Sequence, residues 1–227
     1  MIILKVYVCL PVFNGYDLLD IALTSAENGT LKPDGYYVAN NGLEDWVHPD
    51  KVIADKTIIY NSGQNLGCSK SWNLFIKDVP QIRIIINNDI EFHSYTIENL
   101  VKAYNENQDC AIVASEYNSI GSDETFSCFI LTDKGIEEVG LFDEGFTPAY
   151  YEDCDYQRRC LLKDMKIIHA PNTGYFHHHC ATTHRFTPEQ LQSHYSATHK
   201  NSVYYVEKWG GMPREETFIY PFNKKPE

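Results

Sequence analysis

Residues 82–89 read Ile82-Arg83-Ile84-Ile85-Ile86-Asn87-Asn88-Asp89. The first five are β-branched apart from one arginine, the pattern of a central strand covered on both faces. The last three are polar, so the strand delivers two amides and a carboxylate at its carboxyl end. In open α/β sheets, ligands bind beyond that end.

The same pattern recurs upstream. An apolar run at 4–10 gives way to Pro11-Val12-Phe13-Asn14-Gly15, and a helix is expected over 16–27. A strand over 35–39 ends in Asn40-Asn41-Gly42. Another near 57–60 leads into Asn65-Leu66-Gly67 and a helix to residue 77. Downstream, helices are expected at 96–107 and 151–163, and strands at 110–114, 126–131 and 174–176. A further helix is capped by Thr132 or Asp133. Thr187-Pro188 starts a last helix, expected to run to residue 207, with threonine as cap and proline in the first turn. The tail from Trp209 reads as an ordered strap. Apolar runs alternating with helical patterns predict an α/β fold, Rossmann-like, with a mostly parallel sheet flanked by helices.

Composition narrows the function. The 227 residues, 43% of them hydrophobic, suffice for one sizeable core. A net charge of -12 argues against a nucleic-acid partner, since the densest basic clusters are only Arg158-Arg159 and Lys224-Lys225. Seven scattered cysteines without a CxxC pair support neither a zinc ribbon nor a thioredoxin-type site. They fit a reducing, cytoplasmic compartment. The apolar N-terminal run is too short for a membrane span, so a soluble protein is expected. No GxGxxG follows the first strand, and no Walker A sequence occurs.

Three strand ends thus carry polar groups: Asn14, Asn40-Asn41 and Asn87-Asn88-Asp89. Each alone is an ordinary turn former; together, on one edge of a parallel sheet, they line one crevice. Tyr151-Glu152-Asp153-Cys154-Asp155 places three carboxylates at a helix start. The helix dipole favours them there, and one can serve as a general base. In His177-His178-His179, strand alternation puts His177 and His179 on one face. Imidazole with a carboxylate suits a manganese-like ion.

In this order the segments resemble the family 2 glycosyltransferases, which have the GT-A fold. Pro11-Val12-Phe13-Asn14 is similar to the family's first-strand segment, and Asn40-Asn41-Gly42 to its Asp-Asn-Gly-Ser turn. Asn65-Leu66-Gly67 with Asn73 is similar to its Asn-x-Gly helix start. Asn87-Asn88-Asp89 stands at the Asp-x-Asp position. Phe142-Asp143-Glu144 with Glu152-Asp153-Cys154-Asp155 and Arg158 is similar to its acidic stretch. Asn40 and Asn87 depart from the family's aspartates; Asp89 is retained.

The resemblance implies a metal-dependent, inverting glycosyltransferase. Its donor would be a UDP-, GDP- or dTDP-linked sugar, and its acceptor a hydroxyl of a glycan, glycoprotein or glycolipid. Pro11, Val12, Phe13, Asn14, Asn40, Asn41, Asn65, Gly67, Asn73, Asn87 and Asn88 would bind the donor. Asp89 and His177, assisted by Glu91 from the same face of an extended segment, would hold Mn2+ or Mg2+. His179 is the alternative imidazole. Asp153 is the candidate base, with Glu152 and Asp155 as rivals. Residues 1–180 would form the catalytic part, and 181–227 a helix and strap completing the acceptor side of the same domain. Trp72 and Trp209 are either sugar-stacking or core. A degenerate, non-catalytic sugar-binding module is the alternative.

Overall fold

The computed structural model describes residues 4–42, 44–116 and 125–225. Strand β1 (Val6–Val12) is followed by α1 (Tyr16–Glu27), β2 (Gly35–Asn40), α2 (Lys51–Ala54), β3 (Thr57–Asn61), α3 (Gly67–Asp78) and β4 (Ile82–Ile86). Then come β5 (Ile90–Phe92), α4 (Thr96–Glu106), β6 (Ile112–Ser115), β7 (Cys128–Leu131) and α5 (Asp133–Val139). The chain continues through α6 (Glu152–Leu162), β8 (Ile167–Ala170), β9 (Tyr175–His177) and α7 (Pro188–Trp209).

Seven strands form the main sheet in the order β3-β2-β1-β4-β7-β6-β8. β4 lies at its centre, and β7 is the reversed strand, antiparallel to both β4 and β6. The alternation of β4 explains why it is apolar throughout. Ile84 and Ile86 join Leu19, Leu23 and Leu100 in one core layer. Ile85 joins Trp72, Phe75 and Phe129 in the other. Arg83 is buried because its guanidinium donates to Ile76 O at 2.8 Å and pairs with Asp133 at 3.2 Å.

The expected helices 16–27 and 67–77 form almost as read. Thr132 caps α5, accepting from Gly135 N–H, and Thr187 with Gln190 makes a capping box on α7. Strand β9 lies one residue beyond the strand expected at 174–176, whereas β8 and the pairing of β9 with β5 have no counterpart in the sequence-based reading. Trp209 closes α7, and Gly210 in the left-handed conformation ends it. No helix among the described residues is long and apolar enough to cross a membrane.

Candidate functional site

The carboxyl ends of β1, β2 and β4 open onto one cavity of about 330 Å3. Pro11, Phe13, Asn41, Asn65 and Gly67 line one side of it, and Asn87, Asn88, Asp89 and His177 another. The convergence follows from parallel pairing, which puts β1, β2 and β4 ends on the same edge. Asn41 is held by Ser71 Oγ at 3.1 Å and by Leu66 N–H, which it accepts at 3.1 Å. Asn65 accepts from Gly67 N–H at 2.9 Å, opening α3 toward the cavity.

The small β5–β9 sheet assembles the titratable centre. Its register sets Ile90 opposite His177. That brings His177 Nε2 to 3.0 Å from Asp89 Oδ1, and Ala181 N–H to 3.4 Å from Oδ2. Burial acts most strongly to raise the Asp89 pKa. His177 and the backbone donors together outweigh it and hold the carboxyl below its ordinary value. His179 stacks beside His177, with ring centroids 4.5 Å apart, so the two do share a face. Glu91 does not share that face. It points outward between buried Ile90 and Phe92, and its carboxylate lies 4.0 Å from His178 instead. The reason is that Asp89 precedes the strand, so strand alternation does not relate the two carboxylates.

Several residues expected to bind the donor are engaged by the protein itself. Val12 is in the core. Asn14 donates to Thr182 O at 3.1 Å, and its own carbonyl accepts from Asn88 at 3.0 Å, tying β1 to the loop after β9. Asn40 is buried, accepting from Tyr16 at 2.8 Å and donating to Glu44 O and Asn61 at 2.9 and 3.0 Å. Asn73 brackets Phe142, bonding both its carbonyl and its N–H at 2.9 Å. Trp72 packs among Phe126, Phe129 and Phe142, and Trp209 is 1% exposed; both are core.

The far wall is built by Pro148, Ala149 and Tyr150. Tyr150 and Tyr151 are both left-handed, with φ of 76° and 75°. Cys68 N–H donates to Pro148 O at 2.7 Å, and a Cβ on Gly67 would fall 2.2 Å from that oxygen. The three carboxylates of α6 then separate. Asp155 is fully buried, accepting from Arg159 Nε and Trp209 Nε1 at 2.9 Å and pairing with Lys208 at 2.6 Å; it is a packing residue. Glu152 is buried with Oε2 unbonded, and its carboxyl is pushed up to about 8, first by burial and then by the charge of Asp153. Asp153 is half-buried. Its charge helps to raise the pKa values of Cys68 and Tyr150, both in the cavity wall, though burial raises each of these more. Asp153 also borders a groove of about 680 Å3 along α6, whose other bank includes Tyr205, Arg214 and Glu216.

Tyr150, Cys68, Cys180, Phe186 and His194 also line the cavity, and none was singled out from sequence. Phe186 meets Phe13 at 5.8 Å and His194 at 5.5 Å, and Tyr150 meets His194 at 5.3 Å, forming an aromatic roof. The only sequence signal for it was the general expectation that the part after His179 walls the site.

No protein-family model matches the chain, and no curated protein matches it. Solved structures do. A mannosyltransferase, PcManGT from Pyrobaculum calidifontis, in complex with GDP-Man and Mn2+, has a TM-score of 0.58 at 13% identity, over 76% of this chain and 56% of that one. GalNAc-T7 with UDP, GalNAc and Mn2+ has a TM-score of 0.68 at 13% identity, over 91% and 48%. S. aureus TarS has a TM-score of 0.60 at 12% identity, over 89% and 40%. The chain therefore spans between 40% and 56% of the length of these three. With so little sequence in common and so much of the backbone superposable, this chain has the GT-A fold of nucleotide-sugar glycosyltransferases.

Proposed function

We propose that the chain is a metal-dependent, inverting glycosyltransferase of the family 2 type, using a nucleotide-diphosphate sugar and a hydroxyl acceptor on a glycan, glycoprotein or glycolipid. The observation that carries this is the Asp89–His177 pair, 3.0 Å apart on the wall of a cavity at the carboxyl edge of the sheet. One carboxylate and one imidazole fit Mn2+ better than Mg2+, which prefers oxygen. Among the described residues no group of three or more His, Cys, Asp or Glu is arranged to hold an ion. Two protein ligands fit an ion that shares its remaining positions with substrate oxygens and water. Such an ion supplies Lewis-acid neutralisation of the leaving diphosphate. The complexes of PcManGT with GDP-Man and Mn2+, and of GalNAc-T7 with UDP and Mn2+, support both the donor class and the ion.

The nucleotide end of the donor lies against Pro11, Phe13 and Asn41, and its sugar end faces Tyr150, the lining residue nearest in sequence to Glu152 and Asp153. Two neighbouring carboxyls with divergent environments divide the labour. Glu152, at about 8, stays protonated at neutral pH. Asp153, the more exposed, takes the acceptor proton. As it does so, the acceptor oxygen bonds to the anomeric carbon, and the bond from that carbon to the diphosphate breaks, its electron pair leaving with the nucleotide. One such displacement inverts the anomeric centre.

The test compares turnover of Asp153→Asn and Glu152→Gln. Loss of a general base costs on the order of 10²–10⁴-fold, so Asp153→Asn should fall by that much. Glu152→Gln, which mimics the protonated group, should stay within about tenfold of the parent. Equal losses, or retained turnover in Asp153→Asn, overturn the assignment.

A further inference from the structure

Two consecutive non-glycine residues in the left-handed region, Tyr150 and Tyr151, stand immediately before the carboxylates of α6. Residues rarely adopt this conformation unless their surroundings over-determine it. The fixing group is on α7. Asn201 is 3% exposed, and its amide nitrogen donates to both Ala149 O at 2.8 Å and Tyr150 O at 3.1 Å. Its oxygen accepts from Thr147 N–H at 3.3 Å. One side chain thus closes three backbone groups within four residues. The other supports act at single points: Cys68 N–H on Pro148 O, Asp155 N–H on Tyr151 O at 2.9 Å, and Tyr205 against the Tyr151 ring.

We infer that Asn201 is a positioning residue: its amide sets the turn at residues 147–151, and with it both the cavity wall at Pro148, Ala149 and Tyr150 and the start of α6 that carries Glu152 and Asp153. The inference rests on the proposed transferase reading for its consequence, though not for its geometry. The donor-facing groups Asn41, Asp89 and His177 have hydrogen-bond partners of their own that do not include Asn201. Disturbing Asn201 shifts the turn that carries Tyr150 and the start of α6, and should therefore lower the rate of the chemical step while leaving the nucleotide end of the donor alone.

The same helix also touches the site at two other heights. His194 lines the cavity roof, and Lys208 with Trp209 fixes Asp155 one turn into α6. Asn201 lies between them and bonds to the turn itself. It is the point on α7 where a change reaches the carboxylates without removing a cavity side chain.

The experiment uses Asn201→Ala and the isosteric Asn201→Asp. The latter keeps the acceptor for Thr147 N–H and loses both donors. Donor hydrolysis is measured on a UDP-, GDP- and dTDP-sugar panel, using the donor that the parent turns over fastest. Both variants should lose tenfold or more in kcat, with affinity for the free nucleoside diphosphate of that donor within about twofold of the parent. Amide hydrogen exchange across residues 147–153, and at Cys68, should accelerate in both variants while exchange in β1 and β4 stays unchanged. Parent-like kcat in either folded variant, or weakened binding of the free nucleoside diphosphate with unchanged kcat, overturns the inference. Should the parent itself release no nucleotide, the transferase reading fails. The exchange arm still decides the geometric claim: faster exchange confined to the turn supports it, and unchanged exchange refutes it. If Asn201→Ala does not fold, Asn201→Asp carries the same two readouts.

Discussion

Glu152 shows how far environment can separate two adjacent carboxyls. Its pKa rises from an ordinary 4.5 to about 8, burial being the larger cause and the charge of Asp153 the next. Between those two values the folded chain holds a proton that the unfolded chain has lost. Stability from this group therefore falls as pH rises across the window, by up to about 1.4 kcal/mol per unit. Glu152→Gln removes the titration and keeps the neutral shape. Its melting temperature relative to the parent should climb between pH 5 and pH 8; a difference that stays flat with pH contradicts the shifted carboxyl. At this scale the sequence singled out Asp89, His177 and the acidic triplet as candidates. It was silent on which carboxylate is which, because burial by residues distant in the chain decides that. Asn40 and Asn73 show a related limit. An amide at a strand or helix end reads the same whether it faces a ligand or, as here, brackets the chain's own backbone.

Among the elements, those with a full period of pattern were legible in full, and the short ones only in part. α1 and α3 run to 12 residues each, long enough for an apolar stripe, and β4 is all β-branched but for Arg83. β5 and β9 have three residues each. Their pairing is non-local, so nothing in either segment announces it, yet it delivers His177 to Asp89 and turns Glu91 away. The start of α3 shows a local rule and a tertiary constraint meeting. Gly67 has φ of +75°, and a Cβ there would strike Pro148 O at 2.2 Å. Gly67→Ala should cost about 1–3 kcal/mol from the backbone conformation alone, with the wall at residues 147–150 displaced. Chemical denaturation checks the first effect and loss of turnover the second. A fully stable, fully active Gly67→Ala removes this contact from the account of the cavity.

Across the whole molecule, the C-terminal helix α7 is joined to the rest of the fold through both polar and apolar groups. Phe146, Tyr205 and Trp209 form a small third core, and the Asp155 carboxylate binds Arg159, Lys208 and Trp209 together within it. Removing one member of such a buried network costs about 3–5 kcal/mol because its partners stay buried. Lys208 keeps Asp143 at 2.6 Å, so Asp155→Ala should fall near the lower end. A loss under about 1 kcal/mol in urea denaturation contradicts the packing role and returns Asp155 to the rivals for the base. The α/β architecture and the common edge of three strand ends could be read from the sequence. The aromatic roof of Phe186, His194 and Tyr150 could not, since it depends on how residues 180–194 return over β1.

The central claim is that Asp89 and His177 hold an ion that makes a nucleotide diphosphate a leaving group. The direct measurement is nucleotide release from a panel of UDP-, GDP- and dTDP-sugars, with Mn2+ or a chelator, in parent and Asp89→Ala. Release from at least one donor is expected with Mn2+, abolished by the chelator and reduced at least a hundredfold in Asp89→Ala. Metal-independent release, release undiminished in Asp89→Ala, or no metal-dependent nucleotide binding by calorimetry contradicts it, and the last result leaves a sugar-binding module without transfer.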